Sequence, residues 1–365
     1  MLRKTLSHLS AVLVLALLAL LIGAVPAGAQ GAPPVSGAHG PAAAVHTIPT
    51  MACSSWTQVK SPSPSSSGSF LQGVVAPSTS FAWAVGFAYG DTGSGTLIVQ
   101  WNGTSWTQVP SPNPSQDNFL YSVTGNATDA WAVGSSGNGN SQNTLTEHWN
   151  GTRWSVVPSP GSGFLHGVAM VSSNDVWAVG TVIEHWNGSS WKVVNSPGGG
   201  VLYGVTAASS SDVWAVGTAI KHWDGSQWSI TPHPGGSKLY SVSGNAAHAW
   251  AVGSTFNPLA VDATLILQWD GTSWKAVNSP NPQLTNFLYG VAGDSQNAWA
   301  VGESQDPSPD NQTLTEQWNG SSWNVVASPN PPAVNFLMGV AQIGSNSGHF
   351  WAVGYSGTGT LILQC

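Results

Sequence analysis

Carboxylates and imidazoles recur at two neighbouring positions of the sequence, just before a tryptophan. The carboxylates are Glu147, Glu184 and Glu316, and the imidazoles are His148, His185 and His222. Side chains of these two types could exchange protons as general acid and base. Their recurrence indicates instead a repeated role on a strand surface or in a hydrogen bond between repeats, so we predict no catalytic residue among them.

Other reactive motifs are missing from the sequence. No His, Cys and Asp cluster has the spacing of zinc ligands, no Asp-x-Asp-x-Asp segment suggests a calcium loop, and no Gly-x-Ser-x-Gly elbow occurs. We therefore expect no metal and no cofactor, and the sequence favours a binding protein over an enzyme.

The chain of 365 residues is tryptophan-rich and poor in charge, with 20 Trp, 41% hydrophobic residues and 6% charged residues. A typical soluble domain carries roughly 25% charged residues. The basic residues beyond the N-terminus are scattered: Lys60, Arg153, Lys192, Lys221, Lys238 and Lys275. Because nucleic acid and anionic lipid bind clustered positive charge, we expect neither as a partner.

The first 29 residues have the features of a secretory signal peptide. Arg3 and Lys4 precede an apolar run over 11–25, and residues 27–29 form a small-residue cleavage site. The run is shorter than the roughly 20 residues that span a bilayer, so we favour cleavage over an uncleaved anchor. Residues 30–52 are expected to be a flexible linker. Cleavage leaves six basic against 15 acidic residues, and the mature chain is expected to be secreted, extracellular or at the cell surface.

From residue 55 onward, one pattern occurs seven times with a mean period of about 44 residues. Leu-x-Gly/Ser-Val is followed by Trp-Ala-Val-Gly, a strand ending in Trp, an Asn-Gly or Asp-Gly turn and a strand led by Trp. The Trp-Ala-Val-Gly segments begin at Trp83, Trp131, Trp177, Trp214, Trp250, Trp299 and Trp351. Every tryptophan of the chain is a repeat position.

Four short segments separated by turn residues predict four strands per repeat. Four strands in a period of about 40 to 50 residues are typical of a β-propeller blade. The Asn-Gly turn between two tryptophans predicts a tight hairpin of strands three and four. We therefore predict an all-β fold over residues 53–365, a seven-bladed β-propeller of four-stranded blades.

The two cysteines stand at the ends of the repeat array. Cys365 takes the place of the pre-turn Trp in the last repeat, and Cys53 precedes an orphan fourth strand at residues 55–59. The N-terminal strand is thus predicted to complete the last blade. Cα atoms across such a turn lie about 5.5 to 6.5 Å apart, so we predict a Cys53–Cys365 disulfide, formed in an oxidising compartment. Two free thiols at a frayed terminus are the alternative.

Loop lengths differ between the two faces of the predicted ring. Loops from strand one to two and from three to four are nearly constant, whereas loops from two to three and from four to one vary. The long ones lie at residues 87–95, 254–263, 303–312, 61–69, 111–118, 279–286 and 328–335. Variable loops on a rigid scaffold commonly bind ligands, so we predict binding on this variable-loop face. Unselected drift of surface loops is the alternative.

A second candidate site is the x position of Leu-x-Gly/Ser-Val on the innermost strand. The residues there are Gln72, Tyr121, His166, Tyr203, Tyr240, Tyr289 and Met338. A ring of such side chains around an axial channel could stack on sugar faces or hold a small molecule. The candidate ligand-binding residues are Tyr121, His166, Tyr203, Tyr240 and Tyr289. Repeated packing between blades is the alternative that the pattern favours.

One compact repeat reads Trp-Lys-Val-Val-Asn-Ser-Pro at 191–197, Leu-Tyr-Gly-Val at 202–205, Asp-Val-Trp-Ala-Val-Gly at 212–217 and Ile-Lys-His-Trp at 220–223. It resembles the repeats of secreted bacterial β-propeller proteins of the kelch and tectonin type, and is most similar to tectonin repeats. The kelch Gly-Gly doublet has no regular position here. The resemblance to tectonin-type propellers implies binding of glycans or microbial surface sugars.

These observations lead us to expect an extracellular, monomeric binding module for glycans or cell-envelope polymers. A structural or protein-interaction propeller of the cell envelope, with another protein on the same face, is the first alternative. A propeller lyase or glycosidase is the second. It would need two carboxylates, or a His and a carboxylate, converging in one pocket.

Overall fold

The computed structural model describes residues 53–138, 141–235, 237–255, 261–306, 311–344 and 347–365. The predicted signal peptide (1–29) and linker (30–52) lie outside the described residues and stay predictions. Within the described ranges the chain contains 28 strands and no helix. A helix long and apolar enough to cross a membrane is accordingly not found there.

The strands follow one another in a regular order of short and long segments. In chain order they are β1 Thr57–Val59, β2 Ser69–Ser78, β3 Phe81–Tyr89, β4 Ser94–Trp101, β5 Trp106–Val109, β6 Asp117–Gly125, β7 Ala130–Gly137, β8 Gln142–Trp149, β9 Trp154–Val156, β10 Leu165–Ser172, β11 Asp175–Gly180, β12 Ile183–Trp186, β13 Trp191–Val193, β14 Leu202–Ser209, β15 Asp212–Gly217, β16 Ile220–Trp223, β17 Trp228–Thr231, β18 Ser237–Gly244, β19 Ala249–Thr255, β20 Ala263–Trp269, β21 Trp274–Val277, β22 Thr285–Gly293, β23 Ala298–Gln305, β24 Gln312–Trp318, β25 Trp323–Val325, β26 Asn335–Gln342, β27 Phe350–Ser356 and β28 Gly359–Gln364.

The prediction of seven separate four-stranded blades is wrong. Five sheets are four-stranded blades: β10–β13, β14–β17, β18–β21, β22–β25, and β26–β28 with β1. Strands β2–β9 form one eight-stranded sheet instead, because a parallel bridge between Ser94 and Asp117 joins β4 to β6. The Asp117 carboxylate also accepts a hydrogen bond from the Ser94 amide at 3.2 Å. Two long loops thus bring the start of β4 against the start of β6.

The innermost strands surround a common axis. Strands β2, β6, β10, β14, β18, β22 and β26 contact one another in this order, and β26 contacts β2. The ring is therefore closed, and its axis is lined by the first strand of each repeat.

The N-terminal strand and a disulfide join the two ends of the ring. Strand β1 pairs antiparallel with β28, so it is the outermost strand of the blade formed by β26–β28. The predicted Cys53–Cys365 disulfide is confirmed, with Cα atoms 5.3 Å apart. Trp56 is buried beside it and packs edge-on against Trp299, with ring centroids 5.0 Å apart.

Local turn chemistry explains the hairpins at the outer edge of each repeat. In the turn between β4 and β5, the Asn102 side-chain oxygen accepts hydrogen bonds from the Thr104 amide, the Thr104 hydroxyl and the Ser105 amide at 2.8 to 3.0 Å. Gly103 has a φ of +95°, which glycine adopts without steric cost. Asp224 and Asp270 make the same bonds in the Asp-Gly turns.

The core lies between neighbouring repeats. The tryptophans that begin Trp-Ala-Val-Gly are at most 2% exposed. Trp83 packs edge-on against Trp149 and Trp154 of the following repeat, with ring centroids 5.1 and 5.2 Å away. Such aromatic pairs add to the burial of apolar area, so the abundance of Trp is explained by packing between repeats.

The glycine of Trp-Ala-Val-Gly is required by a close approach of two backbones. A Cβ at Gly134 would clash with the carbonyl oxygen of Phe119. The counterparts of Gly134 in the other repeats would each clash with the equivalent carbonyl oxygen. We expect Gly134→Ala to lower the free energy of unfolding by about 2 to 3 kcal/mol, because overpacking displaces backbone.

Chemical denaturation of the variants would test this expectation. The matched control is Gly199→Ala, since a Cβ at Gly199 meets no atom within 4 Å. We expect the control to change the free energy of unfolding by less than about 0.5 kcal/mol. Equal stability of the two variants would contradict the packing argument.

Candidate functional site

A β-bulge in each innermost strand presents one side chain to the axis. The register with the second strand shifts at this point in every repeat, for example between Leu120 and Ser122. The bulged residues are Gln72, Tyr121, His166, Tyr203, Tyr240, Tyr289 and Met338. A bulge leaves the extra residue unpaired and re-aims its side chain.

The residue after the bulge lets neighbouring innermost strands approach closely. A Cβ at Gly73 would lie 2.9 Å from the Cα of Ser122, and one at Gly204 would lie 2.8 Å from the Cα of Ser241. The bulged residue and the Gly or Ser that follows it therefore have different roles. The Gly or Ser serves packing between repeats, as the sequence favours, whereas the bulged residue is free for another use.

The bulged residues line one axial cavity of about 220 Å³. The structure thus brings together all five predicted binding residues, Tyr121, His166, Tyr203, Tyr240 and Tyr289, and adds Gln72 and Met338. The rings of the five predicted residues form a continuous arc. The centroid distances along it are 5.1 Å from Tyr121 to His166, 5.1 Å to Tyr203, 5.4 Å to Tyr240 and 5.3 Å to Tyr289.

A second set of aromatic residues, which the repeat pattern did not single out, lies where the innermost strands begin. We call it the aromatic collar, and it consists of Phe70, Phe87, Tyr89, Phe119, Phe164, Phe287, Phe336 and Tyr355. Tyr355 lies 4.7 Å from Phe70, and Phe87 lies 4.9 Å from Phe119, between ring centroids. A Phe-Leu pair before five of the seven bulges was the available signal in the sequence.

The collar opens on the variable-loop face. Phe70, Phe119, Phe287 and Phe336 lie within the first three residues of β2, β6, β22 and β26. The Tyr89 amide, at the end of β3, donates to the Gly68 carbonyl just before β2. Collar rings other than Tyr89 are half-buried, so part of each ring remains accessible. Residues 256–260 and 307–310, within two predicted long loops, lie outside the described residues.

The ionisable groups at this site are neutral or acidic. Burial lowers the pKa of His166, so its imidazole is neutral at pH 7. Glu303 is 5% exposed and accepts a hydrogen bond from the Tyr289 hydroxyl at 2.6 Å and another from the Asn311 amide. Burial raises the pKa of Glu303, and these two hydrogen bonds oppose that shift. None of the residues that line the cavity is Lys or Arg.

The recurrent glutamates lie between sheets and away from the cavity. Glu184 on β12 accepts hydrogen bonds from the Ser159 hydroxyl at 2.6 Å, the Gly161 amide at 3.0 Å and the Thr144 hydroxyl at 3.2 Å. Glu316 accepts one from Ser279 at 2.9 Å. These are the hydrogen bonds between repeats that the recurrence indicates.

The recurrent histidines form three structural pairs with aspartates. His148, His185 and His222 lie 2.8 to 2.9 Å from Asp129, Asp175 and Asp212. Each imidazole also packs at 4.2 to 4.4 Å on the Trp of its own Trp-Ala-Val-Gly. In the described part of the chain, no group of three His, Cys, Asp or Glu is placed to hold a metal ion.

Comparison with known proteins decides the fold class. No protein-family model matches the chain, and no curated protein matches it. The structure of YCF48 bound to D1 peptide aligns over 85% of this chain and 96% of that one, at 14% identity and a TM-score of 0.58. The WD40 β-propeller domain of Doa1 aligns over 86% and 97%, at 14% identity and a TM-score of 0.60. This chain is a β-propeller.

A third similar structure is the GH74 xyloglucanase from Xanthomonas campestris. It aligns over 85% of this chain and 53% of that one, at 12% identity and a TM-score of 0.56. At these identities the likeness shows the propeller fold alone, because one fold serves many functions. The finer resemblance to kelch and tectonin propellers gains no support from these structures.

Proposed function

We propose that this propeller is a binding module that takes its ligand in the axial cavity and on the aromatic collar of the variable-loop face. The single observation that carries the proposal is the convergence of the bulged residues on one cavity beneath accessible aromatic rings. Concave sites with aromatic walls and a few convergent polar groups are the usual form of a ligand site.

The ligand that we propose is a glycan or a cell-envelope polymer outside the cell. Tyrosine combines a broad apolar ring with a hydroxyl, which suits a sugar ring with an apolar face and hydroxyl edges. Gln72 and His166 add polar atoms to the cavity wall. The extracellular location rests on the predicted signal peptide.

A protein partner is the second candidate. One of the similar structures, YCF48 bound to D1 peptide, is a propeller in complex with a peptide. Tyrosine-rich surfaces also recognise protein chains well, since Tyr gives large contact area at low entropic cost. An enzyme is less favoured, because neither Asp nor Glu is among the residues that line the cavity. Glu147, Glu184 and Glu316 are buried between sheets, and Glu303 is hydrogen-bonded to the Tyr289 hydroxyl behind the cavity wall.

A binding measurement on the full chain would test the proposal. We expect a glycan array to give binding, and Tyr203→Leu to weaken the affinity of the best glycan by about tenfold in calorimetry, because removing an aromatic anchor costs about 1 to 2 kcal/mol. The control is Ile230→Thr, at an exposed residue of the outermost strand β17. Equal affinities of Tyr203→Leu and wild type would refute the site, and binding of peptides alone would favour the second candidate.

A further inference from the structure

We propose that the axial cavity binds a quaternary ammonium group carried by the ligand. This inference deepens the proposed function and rests on it, since it names the chemical group that enters the cavity. It follows from the size of the cavity, the aromatic rings around it and the acidic groups behind them.

The cavity has room for one small chemical substituent. Its volume of about 220 Å³ lies below the roughly 300 to 1,000 Å³ of pockets that enclose a drug-sized ligand. A chain of sugars or a peptide would therefore rest on the collar and place a single substituent in the cavity.

The wall is an arc of electron-rich rings. Tyr203 lies between His166 and Tyr240, and Tyr240 between Tyr203 and Tyr289, with centroids 5.1 to 5.4 Å apart. A cation within about 6 Å of a ring centroid is attracted by the ring quadrupole, and aromatic cages of this kind recognise quaternary ammonium groups.

The ionisable groups behind the wall are acidic. The Tyr289 hydroxyl donates to the buried Glu303 carboxylate at 2.6 Å, which leaves the Tyr289 ring more electron-rich. Burial raises the pKa of the Tyr240 hydroxyl, and the neighbouring Asp262 and Glu303 act in the same direction. Lys238 lies on the same innermost strand but is exposed to solvent. An anion placed beside Glu303 would be repelled, and an uncharged group would gain nothing from it.

The test is a calorimetric titration of the full chain with choline and with 3,3-dimethyl-1-butanol, its uncharged analogue of the same shape. We expect choline to bind at least about tenfold more tightly. Glu303→Gln is expected to reduce that ratio by about threefold or more, and Tyr240→Leu to remove most of it, whereas Tyr203→Phe retains it because the ring remains. Equal binding of the two probes would overturn the proposal.

The matched control removes a negative charge far from the cavity. Asp224→Asn changes a fully exposed turn residue, and Asn fills the same turn position at Asn102. We expect its choline affinity to equal that of wild type. If Asp224→Asn lowers the ratio as much as Glu303→Gln does, the effect is one of net charge and the proposal fails. The unfolding temperature of each variant shows that it is folded.

Two further arms identify the source of the ammonium group and separate this inference from the proposed function. A choline-substituted oligosaccharide and a trimethyl-lysine peptide are titrated in parallel, and tighter binding of either one over its unmethylated or unsubstituted form supports the proposal. If neutral glycans lose affinity in Tyr203→Leu while choline never binds, the proposed function stands and this inference falls. If no probe responds to the cavity variants, both fall.

Discussion

Removal of the Cys53–Cys365 disulfide is expected to lower the unfolding temperature by roughly 5 to 8 °C. The bond joins two residues that lie 312 positions apart in the sequence. The chain-entropy model gives about 5 to 6 kcal/mol for a loop of this length, and measured effects are often smaller, so we expect a loss of about 3 to 5 kcal/mol. For a folded chain of this size each kcal/mol corresponds to roughly 1.5 °C.

The structure explains why the other contacts at the closure do not replace the bond. Strand β1 is held to β28 by three paired residues, whereas β2 and β3 pair over nearly their whole length. Trp56, packed on Trp299, is the main apolar anchor of the N-terminal segment. Without the disulfide, we expect β1 to detach before the rest of the ring opens, which exposes Trp56.

Calorimetry and hydrogen exchange on the Cys53→Ser, Cys365→Ser double variant would measure both effects. The amides of β28 are expected to lose protection before those of β20, which is internal to its sheet. Reducing agent serves as the control, because it should destabilise the wild type and leave the double variant unchanged. A double variant with the unfolding temperature of the wild type would show that the bond does not stabilise the ring.

Replacing Glu147 by leucine is expected to stabilise the protein by about 1 to 3 kcal/mol at pH 5 and by about 3 kcal/mol more at pH 8. Glu147 is fully buried, and neither carboxyl oxygen has a hydrogen-bond partner within the described residues. Burial raises the pKa of Glu147 from 4.5 to about 8. A leucine occupies the same strand position in other repeats, at Leu267 and Leu363, paired with the same alanine of Trp-Ala-Val-Gly.

The sign of the pH dependence follows from the two pKa values. Between pH 4.5 and about 8, the folded state holds a proton that the unfolded state has released. The free energy of unfolding therefore falls as the pH rises through this window, by about 3 to 5 kcal/mol in total. Burial also raises the pKa of Glu316 to about 8, so Glu316 contributes in the same direction.

Urea denaturation of Glu147→Leu and wild type at pH 5 and pH 8 would test this prediction. Glu184→Leu is the control, and we expect it to change the free energy of unfolding in the opposite direction. It would leave Ser159, Gly161 and Thr144 without their acceptor, and we expect a loss of about 1 to 3 kcal/mol. If Glu147→Leu destabilised the protein equally at both pH values, the carboxyl group would have a partner in solution and the argument would fail.

Much of the fold could be predicted because its signals are local. The Asn-Gly turn at Asn102 sets a hairpin through bonds within three residues, and Trp repeats mark the buried positions. The Cys53–Cys365 pairing followed from comparing the ends of the array with a complete repeat. Even the axial residues were found from their place in the repeat, although the bulge that turns Tyr203 and its counterparts to the axis was not foreseen.

The count of separate blades and the nature of the site could not be predicted in the same way. Ser94 and Asp117 meet only because two long loops fold against each other, and that single bridge merges two repeats into one sheet. The collar joins Tyr355 to Phe70, residues from opposite ends of the array. A repeat pattern describes each unit alone, whereas both features depend on how units meet.

The sequence by itself determined the strand pattern, the hairpins, the disulfide and the identity of the axial residues, since each follows from turn chemistry or from the position of a residue within its repeat. Only the tertiary structure decided that Glu184 is hydrogen-bonded, that Glu147 has no partner among the described residues, and that Glu303 stands behind Tyr289. The physical reason is distance. Desolvation and hydrogen bonding act over a few ångströms, between side chains that the ring alone brings together.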